Sequence, residues 1–197
     1  QQGNPFLNPS YTQNLELSYT LNSKYSVSIG YAYAQDVFSE ITDTTETLRA
    51  FITTKNLASQ KNYSLNLTLP IQVQSWLASF WNISAYQQHN IASLGDGKDI
   101  DIQVYSLNVY SQNTIDLNST TTLEVSGWYN SPSLWGGTIK MDSQGAMDIG
   151  LKKKFLDNKL NVGLALTDIF HTAAWKGHSN YGGLAIQASG DWESRRL

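Results

Sequence analysis

The chain has no cysteine. Thiolate metal sites, cysteine nucleophiles and disulfides are therefore excluded. Charge is scarce as well: Asp, Glu, Lys and Arg make up 15% of the residues, against ~25% in soluble domains. The net charge of −3 offers nucleic acid no electrostatic footprint. No apolar run approaches the ~20 residues of a membrane-spanning helix. That absence says nothing of strands, which cross a membrane with their apolar residues hidden by alternation. The start, Gln1-Gln2-Gly3, carries neither the basic nor the apolar stretch of a secretory leader, so the chain reads as mature or internal.

Ser, Thr, Asn, Gln and Tyr fill the space that charge leaves. Aromatics reach 12%, with eleven Tyr and six Trp. Such a chain is too aromatic for disorder. It suits strands with one polar and one apolar face.

The dominant period is two, the signature of half-buried strands. Leu15, Leu17, Tyr19 and Leu21 alternate with Asn14, Glu16, Ser18 and Thr20. After Asn22-Ser23-Lys24, the set Tyr25, Val27, Ile29, Tyr31 and Tyr33 alternates with Ser26, Ser28, Gly30, Ala32 and Ala34. Tyr63, Leu65, Leu67 and Leu69 do the same against Asn62, Ser64, Asn66 and Thr68. Later stretches repeat it: Leu123, Val125, Gly127 and Tyr129 against Thr122, Glu124, Ser126 and Trp128, then Leu160 to Thr167. A face of small and polar side chains suits a lumen filled by water or a plug.

The connections alternate in length. Asn22–Lys24, Pro70–Gln74, Asn118–Ser119 and Asp157–Asn158 read as short turns. Asp36–Thr45, His89–Lys98, Ser131–Gly137 and Phe170–Gly183 read as long loops. Short turns at one end and long loops at the other are the layout of an outer-membrane barrel. Soluble lipocalin-like and streptavidin-like barrels share part of it. The expected fold is all-β: a segment of about nine long antiparallel strands of a larger transmembrane barrel. An odd count and a last strand that stops near Leu197 point to an incomplete wall, since bacterial barrels close on even numbers.

Two stretches carry a resemblance. Gly3-Asn4-Pro5-Phe6-Leu7-Asn8-Pro9-Ser10-Tyr11, followed by Asn14-Leu15-Glu16-Leu17, resembles the opening signature of TonB-dependent receptor barrels, with Ser10 where that family commonly has Glu. Leu151 to Leu160, then Asp168-Ile169-Phe170, is similar to their late strands. The resemblance covers nearly the whole chain. It implies the C-terminal part, residues 1–197, of a barrel of roughly 22 strands, with the plug and N-terminal strands upstream. It further implies energy-coupled uptake across the bacterial outer membrane of a substrate the sequence does not name. The implied partners are outer-membrane lipid, the plug domain, TonB and a surface lipoprotein. The alternatives are a structural, scaffold or secretion-associated barrel without uptake, and a soluble extracellular carbohydrate-binding β-domain.

Chemistry is sparse. His89, His171 and His178 all fall in expected loops, and Asp96, Asp99 and Asp101 near the first match no calcium loop. No serine sits in a Gly-x-Ser-x-Gly elbow. No catalytic residue, cofactor or metal is expected. Trp135, Trp175 and Trp192, in or near loops, are candidates for stacking on a ligand such as a sugar. Glu16, Glu124, Asp148 and Lys152 are candidate lumen-lining charges. Tyr19, Tyr25, Tyr31, Tyr33, Trp81, Tyr105 and Tyr129, on apolar faces, suit interfacial girdles.

Overall fold

The computed structural model describes residues 5–46, 49–93, 99–181 and 184–197, with side chains over 5–40, 54–93, 99–180 and 185–197. Gly3 and Asn4 of the opening signature and residues 94–98 of the expected His89–Lys98 loop lie outside them. Twelve strands form among the described residues, where the sequence reading expected about nine.

Eight strands make one antiparallel sheet: β1 (Tyr11–Leu21), β2 (Tyr25–Glu46), β3 (Arg49–Gln74), β4 (Leu77–Ser93), β5 (Asp99–Asn118), β6 (Thr121–Asn130), β9 (Gln144–Phe155) and β10 (Leu160–Leu166). Sequence neighbours pair throughout, except that β6 pairs with β9. The interval holds β7 (Ser133–Trp135) and β8 (Ile139–Met141). These join β11 (Trp175–Tyr181) and β12 (Leu184–Gly190) in a second sheet, ordered β12-β11-β8-β7.

The register carries the alternation across the wall. Ile29 stands opposite Leu65, Leu65 opposite Ala85, and Ala85 opposite Leu107. Farther along, Val125 faces Ile149 and Leu151 faces Leu164. One step along, Gly30, Ser64, Tyr86 and Ser106 form the neighbouring row on the other face. The apolar rows are not buried against anything: Leu17 is 74% and Leu164 59% exposed. A water-soluble fold avoids so large a contiguous apolar face.

The turns at one end are tight. Asn22 and Ser23, both at φ 52°, close β1 onto β2. Asp157 and Asn158 do the same between β9 and β10. Asn and Asp tolerate this left-handed region better than most residues. One expected turn moves: Pro70–Gln74 belongs to β3, with Pro70 paired to Phe80, and the turn is Ser75-Trp76. Near a strand end, the ladder tolerates a residue without an N–H.

The long loops need more correction. Asp36–Thr45 lies inside β2, and His89 lies inside β4. Ser131–Gly137 contains β7, and Phe170–Gly183 contains β11. The chain beyond Gly183 is β12, paired to β11 rather than to the wall. Only at Arg196, in an isolated antiparallel bridge to Thr167, does the chain return beside the wall.

Asp36 inverts the faces of the β2–β3 hairpin. It sits at φ 52° within the strand, and its carbonyl accepts a hydrogen bond from Asn56 Nδ2 at 2.5 Å. Below it, odd-numbered Tyr31 and Tyr63 lie on the apolar face, 5.0 Å apart between ring centroids. Above it, odd-numbered Val37 and Leu57 turn to the other face. There they pack with Ala92, Ile100 and Ile102 into a small apolar core, and Leu57 is 1% exposed.

The segment between β6 and β8 covers that end of the polar face. Ser106 Oγ donates to the Pro132 carbonyl at 2.7 Å, and Asn90 Nδ2 to the Gly137 carbonyl at 3.4 Å. Gly136 needs its lack of a side chain, since φ is +60° and a Cβ would meet the Glu40 carbonyl oxygen at 2.9 Å. Gly136→Ala is expected to loosen this cover by about 1–2 kcal/mol, the cost of the left-handed conformation, with the wall intact. Faster amide exchange over residues 131–141, unchanged over β3, is the outcome that checks it.

Candidate functional site

The polar face of the wall is knitted by short side chains. Ser84 Oγ donates to Asn66 Oδ1 at 2.7 Å, and Asn66 Nδ2 to Ser28 Oγ at 3.3 Å, spanning β2 to β4. Asn82 Nδ2 donates to Thr68 Oγ1 at 3.2 Å. Such pairs satisfy one another without apolar packing, as a water-facing surface requires.

The four expected lumen charges all lie on this face, at three places. Lys152 Nζ meets Glu124 Oε1 at 2.7 Å across β9 and β6. Beside them opens a cavity of about 400 Å³, bounded also by Gly163, Asp116, Thr122 and Lys154. Glu16 stands apart on β1, accepting from Ser18 Oγ at 2.8 Å. Asp148 faces the loop after β10, accepting the Asp168 N–H at 2.7 Å. With its lysine side chain 64% exposed, the Lys152–Glu124 pair is worth little. Lys152→Ala is expected to change stability by less than about 1 kcal/mol, read from denaturant midpoints.

Asp168 is the buried acid among the described residues, 3% exposed. Its Oδ1 accepts the Thr172 N–H at 2.8 Å and its Oδ2 the Ala173 N–H at 3.1 Å. The Ser194 hydroxyl donates to the same Oδ2. Burial raises its pKa, but the Ser194 hydroxyl and the two N–H groups outweigh that and hold it at about 2, below the usual 3.8. Thr167 Oγ1 also donates to the Ser194 carbonyl at 3.0 Å. The acid thus staples the entry and exit of the segment that carries β11 and β12. The Asp-Ile-Phe stretch was visible in the sequence, but its staple role was not: Ser194 is 26 residues away.

The three candidate tryptophans do not converge. Trp135 sits on β7, at the opposite edge of the second sheet from β12, and is 53% exposed. Trp175 occupies the space a Cβ on Gly190 would need, so its ring is used for packing. Trp192, 52% exposed, follows β12.

Each histidine stands beside one carboxylate. His89 Nε2 lies 2.7 Å from Asp101, His178 Nδ1 3.5 Å from Asp142, and His171 Nε2 3.9 Å from Asp191. Among the described residues no three His, Cys, Asp or Glu side chains gather as a metal site would require.

Neither a search of curated proteins nor one of solved structures returned a match. A family model described as the outer membrane protein beta-barrel family matches residues 1–197. The exposed apolar rows are therefore the lipid-facing surface and the hydrogen-bonded polar rows the lumen side, which removes the soluble carbohydrate-binding alternative. With its two-faced antiparallel wall and a family match along its whole length, the chain belongs to the outer membrane protein beta-barrel family and resides in the bacterial outer membrane.

Proposed function

We propose that the chain is part of the wall of a TonB-dependent receptor that takes up its substrate by energy coupling. On this reading residues 1–197 are the C-terminal part of a barrel of roughly 22 strands. An upstream plug fills the lumen, TonB supplies the coupling, and a surface lipoprotein is a further partner. The wall performs no catalysis. The observation that carries the reading is the hydrogen-bonded polar face from Ser28 to Ser84, which suits a lumen holding water or a plug rather than a packed interior. The resemblance of Gly3–Leu17 to the receptor opening agrees with it.

The test compares cells lacking the intact receptor with cells lacking TonB, grown on the same complex medium. Mass spectrometry of the spent medium shows which compounds each strain leaves behind. The uptake reading expects a compound that both strains fail to consume. A structural or secretion-associated barrel would leave the medium unchanged in the receptor-deficient strain.

A further inference from the structure

One edge of β5 is open above Leu107. β5 pairs with β4 from Asp99 to Ile115, but with β6 only as far as Asn108, opposite Asn130. Pro132 then follows, which has no N–H to give a ladder, and the chain leaves the wall for β7. Ser131 closes the ladder. Its N–H donates to the Leu107 carbonyl at 2.8 Å, and its hydroxyl accepts the Leu107 N–H at 2.7 Å. Leu107 thus turns both backbone groups away from β4. Backbone groups alternate sides along a strand, so those of Gln103 and Asp101 point the same way. Among the described residues no strand pairs with them. Strands added to the wall join beyond β1 or β10, the two edges of the sheet, and leave this edge as it is.

Beside the edge lies a cavity of about 520 Å³, between β5 and the part of the second sheet that carries Thr138, Lys140 and His178. Both of its sides belong to this chain. The Asp101 and Gln103 side chains are engaged elsewhere, with His89 at 2.7 Å and Tyr105 at 2.6 Å, so these residues bring their backbone to the cavity. Thr138 is 1% exposed, yet its hydroxyl has no hydrogen-bond partner. A buried polar group left so is rare. Lys140, the cross-strand partner of His178, makes no ion pair among the described residues. The unmet groups are a strand edge, a hydroxyl and a cation.

We propose that this cavity captures a short, extended oligopeptide at the outer face of the barrel. The peptide backbone adds a strand to β5 at Asp101 and Gln103, and an acidic side chain meets Lys140 and the Thr138 hydroxyl. Alternating donors and acceptors in register are what a peptide backbone returns to a sheet edge, and what a sugar or an alkyl chain lacks. The cavity has the size of a small-ligand site, so it admits a few residues rather than a domain. Unpaired backbone groups are excluded from hydrocarbon, and the long-loop end of such a barrel faces the exterior, so the peptide arrives from water. Capture needs no energy coupling; the site goes beyond that reading and stands apart from it.

The intact protein, purified in detergent, is mixed with pools of end-capped pentapeptides whose central residue is Glu, Gln or Lys. Size exclusion with mass spectrometry identifies the retained peptides, and the best binder is titrated calorimetrically. The Glu pool is expected to supply it. N-methylation along that peptide should abolish binding at alternate residues only, since one side of the added strand bonds β5. Lys140→Gln should weaken the Glu peptide by about tenfold and bring it level with its Gln counterpart. Gln103→Pro removes an N–H that the wall does not use. It should assemble, as the heat-modifiable gel shift reports, and bind about tenfold or more weakly; if it does not assemble, the N-methyl series and Lys140→Gln are read. Retention of no pentapeptide overturns the site. So does an N-methyl series without alternation, or undiminished binding of the Glu peptide by folded Lys140→Gln. A photocrosslink from position 103 to a second copy, or to an upstream segment of the same chain, also overturns it, because protein would then occupy the edge.

Discussion

Leu65→Arg and Val125→Arg are each expected to lower the stability of the assembled barrel by about 2–4 kcal/mol where the residue sits at the bilayer midplane. Leu65 lies in a row of apolar side chains with Ile29, Ala85 and Leu107. Val125 lies in another, opposite Ile149. A guanidinium there has no carboxylate to meet and must snorkel to an interface or drag water with it. Urea unfolding in lipid vesicles measures the loss. Lumen-side Ser26→Arg and Thr122→Lys are the controls. Thr122 already donates to Asp116 at 2.8 Å, so a lysine there gains a nearby carboxylate. Both controls should cost less than about 1 kcal/mol. Equal losses at all four positions would mean that the two faces are not different solvents.

The second large effect belongs to Asp168. Asp168→Ala removes a charged acceptor from two N–H groups and two hydroxyls, leaving the Ala173 N–H buried. Hydrogen bonds to charged groups contribute ~1.5–3 kcal/mol each and do not add in full, so the expected local loss is about 2–4 kcal/mol. It should fall on residues 167–194 and spare the wall. The same carboxylate makes the segment acid-sensitive. Its pKa is lower folded than unfolded, so its contribution is complete above 3.8 and is lost as pH falls from there through about 2. Amide exchange at Thr172 and Ala173 reports both effects. In Asp168→Asn the pH dependence should vanish, because nothing remains there to titrate. Wild-type protection that does not change across that pH range would contradict the assignment.

The membrane part of the wall was legible because lipid and water impose opposite demands on adjacent residues. Leu65 beside Asn66, or Leu123 beside Glu124, leaves only one way to set the strand. The tight turns were legible through Asn22-Ser23 and Asp157-Asn158, residues suited to positive φ. The upper half of β2 was not. Asp36–Thr45 is mostly polar and its apolar Val37 and Phe38 are adjacent, so the period-two contrast is absent and a strand there looks like a loop. The inversion at Asp36 was equally hidden: past one residue in the left-handed region, Val37 and Leu57 lie on the other face. Sequence parity therefore carried no sign that Val37 and Leu57 join Ile100 in a core.

The second sheet escaped for another reason. Its pairings join residues far apart in sequence, as His178 with Lys140, and a three-residue strand such as β7 has too few positions to show a period. Among candidate residues, the Lys152–Glu124 pair follows from shared parity on neighbouring strands. The tryptophans were chosen for lying in or near loops; the structure sets Trp135 on β7, across the second sheet from β12, and packs the Trp175 ring on Gly190.

The account stands or falls on which solvent touches each side chain of the wall, and the absence of cysteine makes that measurable one site at a time. Single cysteines introduced in the intact protein at Ser64 to Leu67 and Leu123 to Ser126 are spin-labelled, then reconstituted in vesicles. Collision with oxygen, which concentrates in lipid, should dominate at 65, 67, 123 and 125. Collision with a water-soluble nickel chelate should dominate at 64, 66, 124 and 126. Accessibility that fails to alternate between neighbours, or that alternates with the opposite sign, would contradict a lipid-facing wall built on this register.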